Sequence, residues 1–435
     1  MRWVTSMTNG RVALAMTLAI LVAGAALPSR AGGFGNPDFG TRRCGMMAVM
    51  GKPDDLTAIY ANPAGLTLQK GTNVYLAADG SFSDFGFKFF DSAGKLRGAI
   101  QGNAELKADP SWTLLPFVAI ESDFGTKRLR GGLAVYSPDL GGTSLPGNEA
   151  SRYHLVNSLN SSINVTGALA YQISDKFSLG AGISALYVRQ SRSRFSNPLI
   201  DSNPDKRWDA SPTVRAGDSK VDSSGQGWAW DWNVGLLFRP LKTLGLGFSF
   251  MSAADVTLKG TLKTTDSAGK ATNHHQTTTL VTPLSLRAGI NWEFVPNVEF
   301  GADVYYWHYQ TLQEERVTVA GSPASVPKSY TNAWNVSLGL LYRPIAPLDL
   351  MIGYQHENSP IPGSTLSLDD VTRNRNTVSL GARWRALSWM QVGLTYQRTW
   401  FDLLNIQDSV LNPPTNIKGH NSLHQVALDL AFKVL

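Results

Sequence analysis

Residues that could support catalysis or metal binding are sparse in this sequence. The chain has seven histidines, and the adjacent pair His274 and His275 lies in a threonine- and asparagine-rich stretch. Two imidazoles without a thiolate partner are too few ligands for a zinc site. Neither the Gly-x-Ser-x-Gly motif of serine hydrolases nor the His-Glu-x-x-His motif of zinc proteases occurs. The sequence therefore predicts no catalytic residue, no metal site and no cofactor, which is the pattern of a protein that is not an enzyme.

The first 31 residues have the composition of an export signal. Arg2 and Arg11 precede the apolar stretch 12–27, and small residues lead up to Ala31. The alternative is a transmembrane anchor, but the stretch is shorter than the ~20 apolar residues that a spanning helix needs. We therefore expect a signal peptide at 1–31. Because the chain has a single cysteine, it cannot form an internal disulfide after export.

Composition excludes some classes of partner. The 39 basic and 33 acidic residues leave a net charge of +6, half of which lies in the first 31 residues, so nucleic acid is not an expected partner. Charged residues make up 17% of the chain, against about 25% in typical soluble domains. The chain also contains 41 glycines and 10% aromatic residues. This composition suits a sheet that is apolar on one face.

Apolar and polar residues alternate with a period of two in segment after segment. In Leu284–Phe294 every even position is apolar and every odd position is polar or glycine, and the same rhythm returns around Trp230, Trp334 and Leu428. A period of two indicates extended strands with one apolar face. The side chains expected to face lipid are Ile290, Phe300 and Leu380, and those expected to face the interior are Arg287, Glu299 and Arg383.

The alternation fits either a soluble β-sandwich or a membrane barrel. Export and the length of the strands favour the barrel, as do aromatic residues at strand ends. These aromatic residues are Trp292, Trp307, Trp384, Trp389 and Trp400. In lipid, a sheet satisfies all its backbone hydrogen bonds only when it closes on itself. The sequence therefore predicts an all-β, transmembrane, antiparallel up-and-down barrel in a bacterial outer membrane.

Short turns alternate with long polar loops, as in barrels with periplasmic turns and extracellular loops. The long connections are predicted at 81–111, 138–160, 193–226, 259–280, 312–331, 357–376 and 402–421. The predicted strands, 14 in number, are 71–80, 112–122, 129–137, 160–173, 176–192, 226–239, 243–258, 281–294, 297–311, 332–343, 348–356, 377–385, 388–401 and 422–435. We assign the barrel to 71–435.

Residues 32–70 do not alternate and are too few for an independent domain. Their apolar content argues against a disordered periplasmic tail, so we expect a plug, or hatch, inside the barrel. Within them, the run 54–66 resembles the hatch signature of the outer-membrane fatty-acid and toluene transporter family (the FadL/TodX type). The residues that carry the resemblance as a gating element are Asp54, Asp55, Asn62, Pro63, Ala64 and Gly65. By itself, Asn62-Pro63 predicts only a turn.

The resemblance implies facilitated uptake of hydrophobic small molecules such as long-chain fatty acids or aromatic hydrocarbons. Extracellular loops would capture the ligand, the lumen would bind it, and movement of the hatch would release it sideways into outer-membrane lipid. Gly131 and Gly132 begin the third predicted strand, which is kinked in that family, and are the candidate lateral exit. The alternative is that these glycines only ease barrel curvature. Barrel-assembly machinery is a further expected partner.

Two other functions remain open. A general diffusion porin for small polar solutes needs a continuous wet pore and no plug, so residues 32–70 distinguish the two readings. An enzymatic barrel would need a cluster of catalytic residues, and none is visible in the sequence.

Overall fold

The computed structural model describes residues 38–91, 93–98, 104–109, 112–197 and 217–434. The signal peptide expected at 1–31 lies outside the described residues. Within these described residues there are two short α-helices, α1 (Thr41–Met46) and α2 (Ala58–Ala61), with 3-10 helices at Pro63–Leu68, Ala150–Tyr153, Tyr309–Thr311 and Gly363–Thr365. No helix in the described part of the chain has the length and apolar character needed to cross a membrane.

Strands account for most of the remaining described residues. They are β1 (Thr72–Phe90), β2 (Leu96–Arg97), β3 (Leu106–Lys107), β4 (Trp112–Ser122), β5 (Leu129–Tyr136), β6 (Leu140–Gly141), β7 (Asn157–Ser174), β8 (Phe177–Ser196), β9 (Ser219–Leu241), β10 (Leu244–Met251), β11 (Ala254–Thr265), β12 (Ala271–Thr282), β13 (Ser285–Val295), β14 (Val298–Trp307), β15 (Glu314–Val319), β16 (Ser322–Pro327), β17 (Ala333–Ile345), β18 (Leu348–Glu357), β19 (Arg375–Leu387), β20 (Met390–Phe401), β21 (Leu404–Asn405) and β22 (Ile417–Lys433).

The described strands form a closed antiparallel barrel of 14 wall positions, as predicted. In wall order these are β1, β4, β5, β7, β8, β9, β10, β13, β14, β17, β18, β19, β20 and β22. The barrel closes where β1 pairs with β22 from Asn73↔Lys433 to Phe89↔Ile417. Closure leaves no unpaired edge strand in the wall.

The burial pattern confirms which face is apolar. Arg287, Glu299 and Arg383 are 3%, 0% and 4% exposed, whereas Leu380 on the opposite face is 56% exposed. Charged side chains inside and leucines outside are the reverse of a soluble protein, because lipid rather than water contacts the outer wall. Trp307 was assigned to the outer aromatic belt, and that prediction is wrong. It lies on the interior face, 7% exposed, with its ring 5.8 Å from that of Tyr305.

Several strands extend further than the alternation predicted. The connection expected at 81–111 begins inside β1, the loop expected at 259–280 is the β11–β12 hairpin, and the loop at 312–331 contains the β15–β16 hairpin. In the β11–β12 hairpin threonine occupies both faces of the strands, since both are wet beyond the membrane. The alternation of apolar and polar residues is weak there, although threonine favours extended backbone. The extension of β1 does keep an alternation, with Phe85, Phe87 and Phe89 on the buried face.

Residues 38–70, which we call the N-terminal segment, lie against the interior wall. Helix α1 packs on β17, β18, β19, β20 and β22, while the 3-10 helix Pro63–Leu68 packs on β5, β7, β8 and β9. These two groups of strands are on opposite sides of the barrel, so the segment crosses the lumen.

Candidate functional site

Asp54 is the centre of an ion-pair network between the N-terminal segment and the wall. Its Oδ1 accepts hydrogen bonds from Nε of Arg42 at 2.9 Å and Nη1 of Arg383 at 3.0 Å. Its Oδ2 accepts from Nη2 of Arg42 at 3.0 Å and Nη2 of Arg383 at 3.2 Å. Arg42 is carried by α1 and Arg383 by β19, so one carboxylate joins both parts of the protein. Charge-assisted, two-pronged contacts of this kind are the strongest polar contacts available.

The network extends along the wall on both sides of Asp54. Arg42 also reaches Glu299 at 3.0 Å, and Lys52 reaches the other oxygen of Glu299 at 2.5 Å. Arg383 also reaches Asp349 at 2.9 Å. Burial opposes ionisation of Asp54, but Arg383 and Arg42 hold its pKa well below its usual range. Asp54 is therefore charged at every physiological pH, and so is the contact that it makes.

Asp55 has a different environment from its neighbour. Its Oδ1 accepts a hydrogen bond from the backbone N–H of Thr57 at 2.9 Å and also contacts the Thr57 hydroxyl, which is a local turn. Burial, followed by the negative charge of Asp54, raises the pKa of Asp55 to about 6. Asp55 therefore changes its charge near neutral pH, whereas Asp54 does not.

Asn62 and Pro63 form the turn that the sequence predicts and also contact the wall. Asn62 has an extended backbone, as expected before proline, and its Oδ1 accepts a hydrogen bond from the N–H of Ala64 at 3.2 Å. Its Nδ2 donates to the carbonyl of Leu236 in β9 at 3.1 Å. Pro63 then begins a 3-10 helix, where its missing N–H is not needed. Gly65 packs on Pro53, and a Cβ at Gly65 would lie 2.4 Å from the Pro53 ring.

The inner face of the wall carries glycines where the N-terminal segment contacts it. A Cβ at Gly339 would lie 1.8 Å from the carbonyl oxygen of Met46, and a Cβ at Gly180 would lie 2.4 Å from the backbone of Pro63 and Ala64. Other wall glycines at which a Cβ would come within 3 Å of the segment are Gly132, Gly235, Gly245, Gly247, Gly301, Gly353, Gly381 and Gly393. We call this set the glycine belt. It lets the backbone of the segment approach the strands directly.

Gly131 and Gly132 lie in a wall that is paired on both sides. Gly132 is opposite Glu121 in β4 and Ala168 in β7, and Gly131 is likewise paired with both strands. Gly132 faces inward, where a Cβ would lie 2.9 Å from Cδ1 of Ile59, and Gly131 faces the ring of Phe124. The predicted exit glycines therefore contact the N-terminal segment on one face and the outer surface on the other.

The interior beyond the N-terminal segment is apolar and aromatic. Phe39 from the segment packs on Phe117 and Tyr136 from the wall, and Tyr60 packs on Tyr136, with ring centroids 5.1 to 5.7 Å apart. One continuous buried apolar cluster joins these rings to residues of the far loops, including Leu368. This cluster was not predicted from the sequence. It could have been recognised from aromatic residues at interior-facing positions of strands, such as Tyr305 and Trp307.

A cavity of about 340 Å³ opens at the long-loop end of the barrel. Leu258, Leu280 and Leu312 line it on the apolar side. Two of its basic residues are paired with carboxylates, Arg192 with Asp369 at 3.2 Å and Lys328 with Glu315 at 3.1 Å, while Arg194 donates a hydrogen bond to the carbonyl of Tyr153 at 3.3 Å. The cavity touches the apolar cluster through Tyr330, which is buried. A volume in this range suits one small hydrophobic ligand.

His274 and His275 are successive residues of β12, so their side chains point to opposite faces of the strand. Among the described residues, no group of three or more histidine, cysteine, aspartate or glutamate side chains is placed to hold a metal ion. The charged residues that cluster, around Asp54, are paired with one another in a structural contact.

A closed barrel that is apolar outside, with its N-terminal segment packed against the interior wall, defines the class of outer-membrane barrels. The model of the outer membrane protein transport protein family (OMPP1/FadL/TodX) matches residues 22–432, and the chain belongs to this family. It is therefore an outer-membrane protein, and the resemblance noted from residues 54–66 is confirmed.

Individual relatives agree with this assignment. A Pseudomonas aeruginosa FadL homologue of known structure superposes with a TM-score of 0.80 at 18% identity, covering 93% of this chain and all of that one. The toluene transporter TodX of P. putida gives a TM-score of 0.69 at 15% identity, covering 92% and 98%. The long-chain fatty acid transport protein of Escherichia coli (strain K12) is 22% identical over 251 residues, or 51% of this chain and 56% of that protein. The match thus spans about half the length of that relative.

Proposed function

We propose that this protein facilitates the uptake of hydrophobic small molecules, such as long-chain fatty acids or aromatic hydrocarbons, across the outer membrane. The observation that carries the proposal is the continuous apolar cluster from the extracellular loops to the N-terminal segment. An interior of this kind does not stabilise water, whereas it stabilises an apolar ligand by about 25 cal/mol per Å² of surface that the ligand buries there. The related proteins named for fatty acid and toluene transport support this ligand class.

Capture would take place in the cavity at the long-loop end. The leucines that line it offer an apolar surface, and two of its cations, Arg192 and Lys328, are already paired with carboxylates of the lining. Tyr330, at the boundary of this cavity and the apolar cluster, donates a hydrogen bond from its hydroxyl to Asp370 at 3.2 Å. A ligand would pass this side chain to enter the interior.

The N-terminal segment would act as the hatch, and the barrel proper would begin near residue 71. The Asp54 network and the Asn62 contact with Leu236 hold the segment in place by polar contacts with fixed geometry. Deleting residues 32–70, or replacing Asn62 and Pro63 together, is therefore expected to raise ion conductance in planar bilayers. Unchanged conductance would show that the segment does not limit passage, and would favour the general-porin alternative.

Release would take place sideways into lipid, since a hydrophobic ligand gains nothing by entering the aqueous periplasm. Gly131 and Gly132 remain the candidate exit. Because Gly132 faces Ile59, movement of the hatch would uncover the inner face of β5 at this position. Gly132→Val is expected to abolish uptake while ligand binding at the loops and barrel assembly are kept. Full uptake by a normally folded Gly132→Val variant would remove this site from the mechanism.

Ligand binding by the refolded protein is the direct test. Fatty acids, alkanes and toluene are titrated against the wild type and Leu280→Gln, which makes the cavity lining polar. The matched control is Thr277→Gln, three residues away on the exposed face of the same strand and outside the cavity lining. We expect binding of at least one ligand class, weakened in Leu280→Gln and unchanged in Thr277→Gln. Absence of binding for all three classes would refute the proposal.

A further inference from the structure

The outer surface of β8 and β9 shows where the membrane ends. Outward-facing residues of β8 are apolar from Phe177 to Tyr187, and those of β9 from Phe238 to Trp228. Each run covers ten residue steps, which at ~3.3 Å per residue and a tilt of about 40° is roughly 25 Å of height. This is the height of the apolar band of an outer-membrane barrel. Tyr187 and Trp228 therefore lie at its extracellular edge.

Aromatic side chains cover that edge. Trp228 and Trp230 are 65% and 69% exposed, and the Trp228 ring lies 5.0 Å from that of Tyr187. The Tyr187 hydroxyl donates a hydrogen bond to Oε1 of Gln226 at 2.8 Å. Amphipathic rings with their polar tips turned upward are typical of the boundary between acyl chains and headgroups.

The first polar row above these rings is basic. Gln226 of β9 is directly opposite Arg189 of β8 on one side and Lys259 of β11 on the other. All three side chains are exposed on the outer face. Because neighbouring strands are about 4.8 Å apart, the Arg189 and Lys259 backbones are separated by roughly 10 Å, and both side chains can reach one group between them.

Among the residues that the structure describes, acidic side chains of this outer surface do not neutralise the pair. Asp222, four residues above Gln226, is paired with Lys220 at 3.0 Å. Asp255 is four residues from Lys259 along β11, about 13 Å at the rise of a strand. The row therefore offers a guanidinium, an amide and an ammonium group side by side, immediately above an apolar and aromatic surface.

We propose that the surface formed by Arg189, Gln226, Lys259, Tyr187 and Trp228 binds a phosphorylated lipid of the outer leaflet. The phosphate would accept hydrogen bonds from Arg189 and Lys259, and the acyl chains would lie along Trp228 and Trp230. Guanidinium and ammonium groups are the protein donors best suited to phosphate. The row meets this chemistry at the height where the headgroups of the outer leaflet lie.

Native mass spectrometry of the protein in detergent micelles tests the proposal. Bisphosphorylated lipid A is titrated against the wild type and the double variant Arg189→Gln/Lys259→Gln. We expect retention of the lipid by the wild type and at least about tenfold weaker retention by the variant, since charge-assisted hydrogen bonds are lost. The variant Arg189→Lys keeps the charge and is expected to retain most of the binding.

The control is Lys220→Gln/Lys263→Gln, which removes two charges from the same outer face further from the membrane. This variant is expected to bind lipid A as the wild type does. Fully dephosphorylated lipid A is expected to bind weakly to all variants, and inorganic phosphate alone is expected not to displace lipid A. Equal retention by the Arg189/Lys259 variant, equal loss in the control, or equal binding of the dephosphorylated lipid would each overturn the assignment. Displacement by inorganic phosphate would also overturn it, because the acyl chains would then contribute nothing.

Discussion

The variant Asp54→Asn tests whether the proposed hatch is held in place by ion pairs or by packing alone. The substitution keeps the side-chain shape but replaces one carboxylate oxygen by an amide that donates. At most one oxygen is then left to accept from Arg42 and Arg383, which approach the carboxylate at 2.9 to 3.2 Å. The two guanidinium groups also lose the negative charge between them. Each keeps one partner, Glu299 or Asp349, so neither becomes an unpaired buried charge.

Breaking a buried ion pair usually costs about 3 to 5 kcal/mol. Because both arginines keep a partner, we expect the lower end, about 3 kcal/mol of lost docking free energy, which corresponds to a roughly 140-fold larger undocked population. The assay is single-channel recording in planar bilayers, where the fraction of time in a conducting state reports that population. Recorded below pH 6, where Asp55 is mostly protonated, Asp55→Asn is the matched control, since the hydrogen bonds shown for Asp55 go to Thr57 within the segment. If Asp54→Asn conducts no more often than Asp55→Asn, the network does not hold the hatch.

Three further predictions use the same barrel. In the docked state the pKa of Asp55 is about 6, whereas an exposed carboxyl has a pKa of 3.8. Docking is therefore most stable below pH 3.8 and weakens as pH rises through about 6. Conductance should increase over this pH range in the wild type but not in Asp55→Asn. Gly339→Val places a side chain against the Met46 carbonyl and should raise conductance with the barrel still folded, as judged by heat-modified migration in gels. Leu380→Arg, on the lipid face, should lower the free energy of unfolding in lipid by about 2–4 kcal/mol, measured by urea titration, and an unchanged value would contradict the outward assignment.

The barrel could be predicted from the sequence because one physical rule applies along the whole wall. In a strand between lipid and the barrel interior, apolar and polar side chains alternate. This alternation correctly assigned Arg287, Glu299 and Arg383 to the interior. The rule stops at the membrane boundary, so the threonine-rich extensions of β11 and β12 carried no such signal. It also fails for Trp307, because tryptophan suits both a membrane interface and an aromatic interior.

The wall partners of the N-terminal segment could not be predicted from the sequence in the same way. Asp54 is 12 residues from Arg42 but 329 residues from Arg383, and only the closed barrel brings the three together. Their residue types were visible, as a carboxylate in the plug and a cation in the interior phase of a strand. Which carboxylate meets which cation depends on barrel shear and on the path of the plug, and neither follows from periodicity.

The glycine belt, in contrast, could be recognised in the sequence, because the alternation places these glycines at interior positions. Gly339 and Gly353 occupy interior positions in their strands, where a wet lumen would accept any polar side chain. Glycine weakens a strand, so its repeated use on one face needs a reason, and close approach of another backbone is a sufficient one. The segment therefore rests on the wall through its backbone, and its larger apolar side chains, Phe39 and Tyr60, are left to face the aromatic interior. A hydrophobic ligand arriving from the loops would compete for the contacts of these rings, while the Asp54 network on the wall stayed in place. On the proposed hatch mechanism, ligand binding would loosen the apolar half of the segment first, and the polar half would then be the barrier to opening.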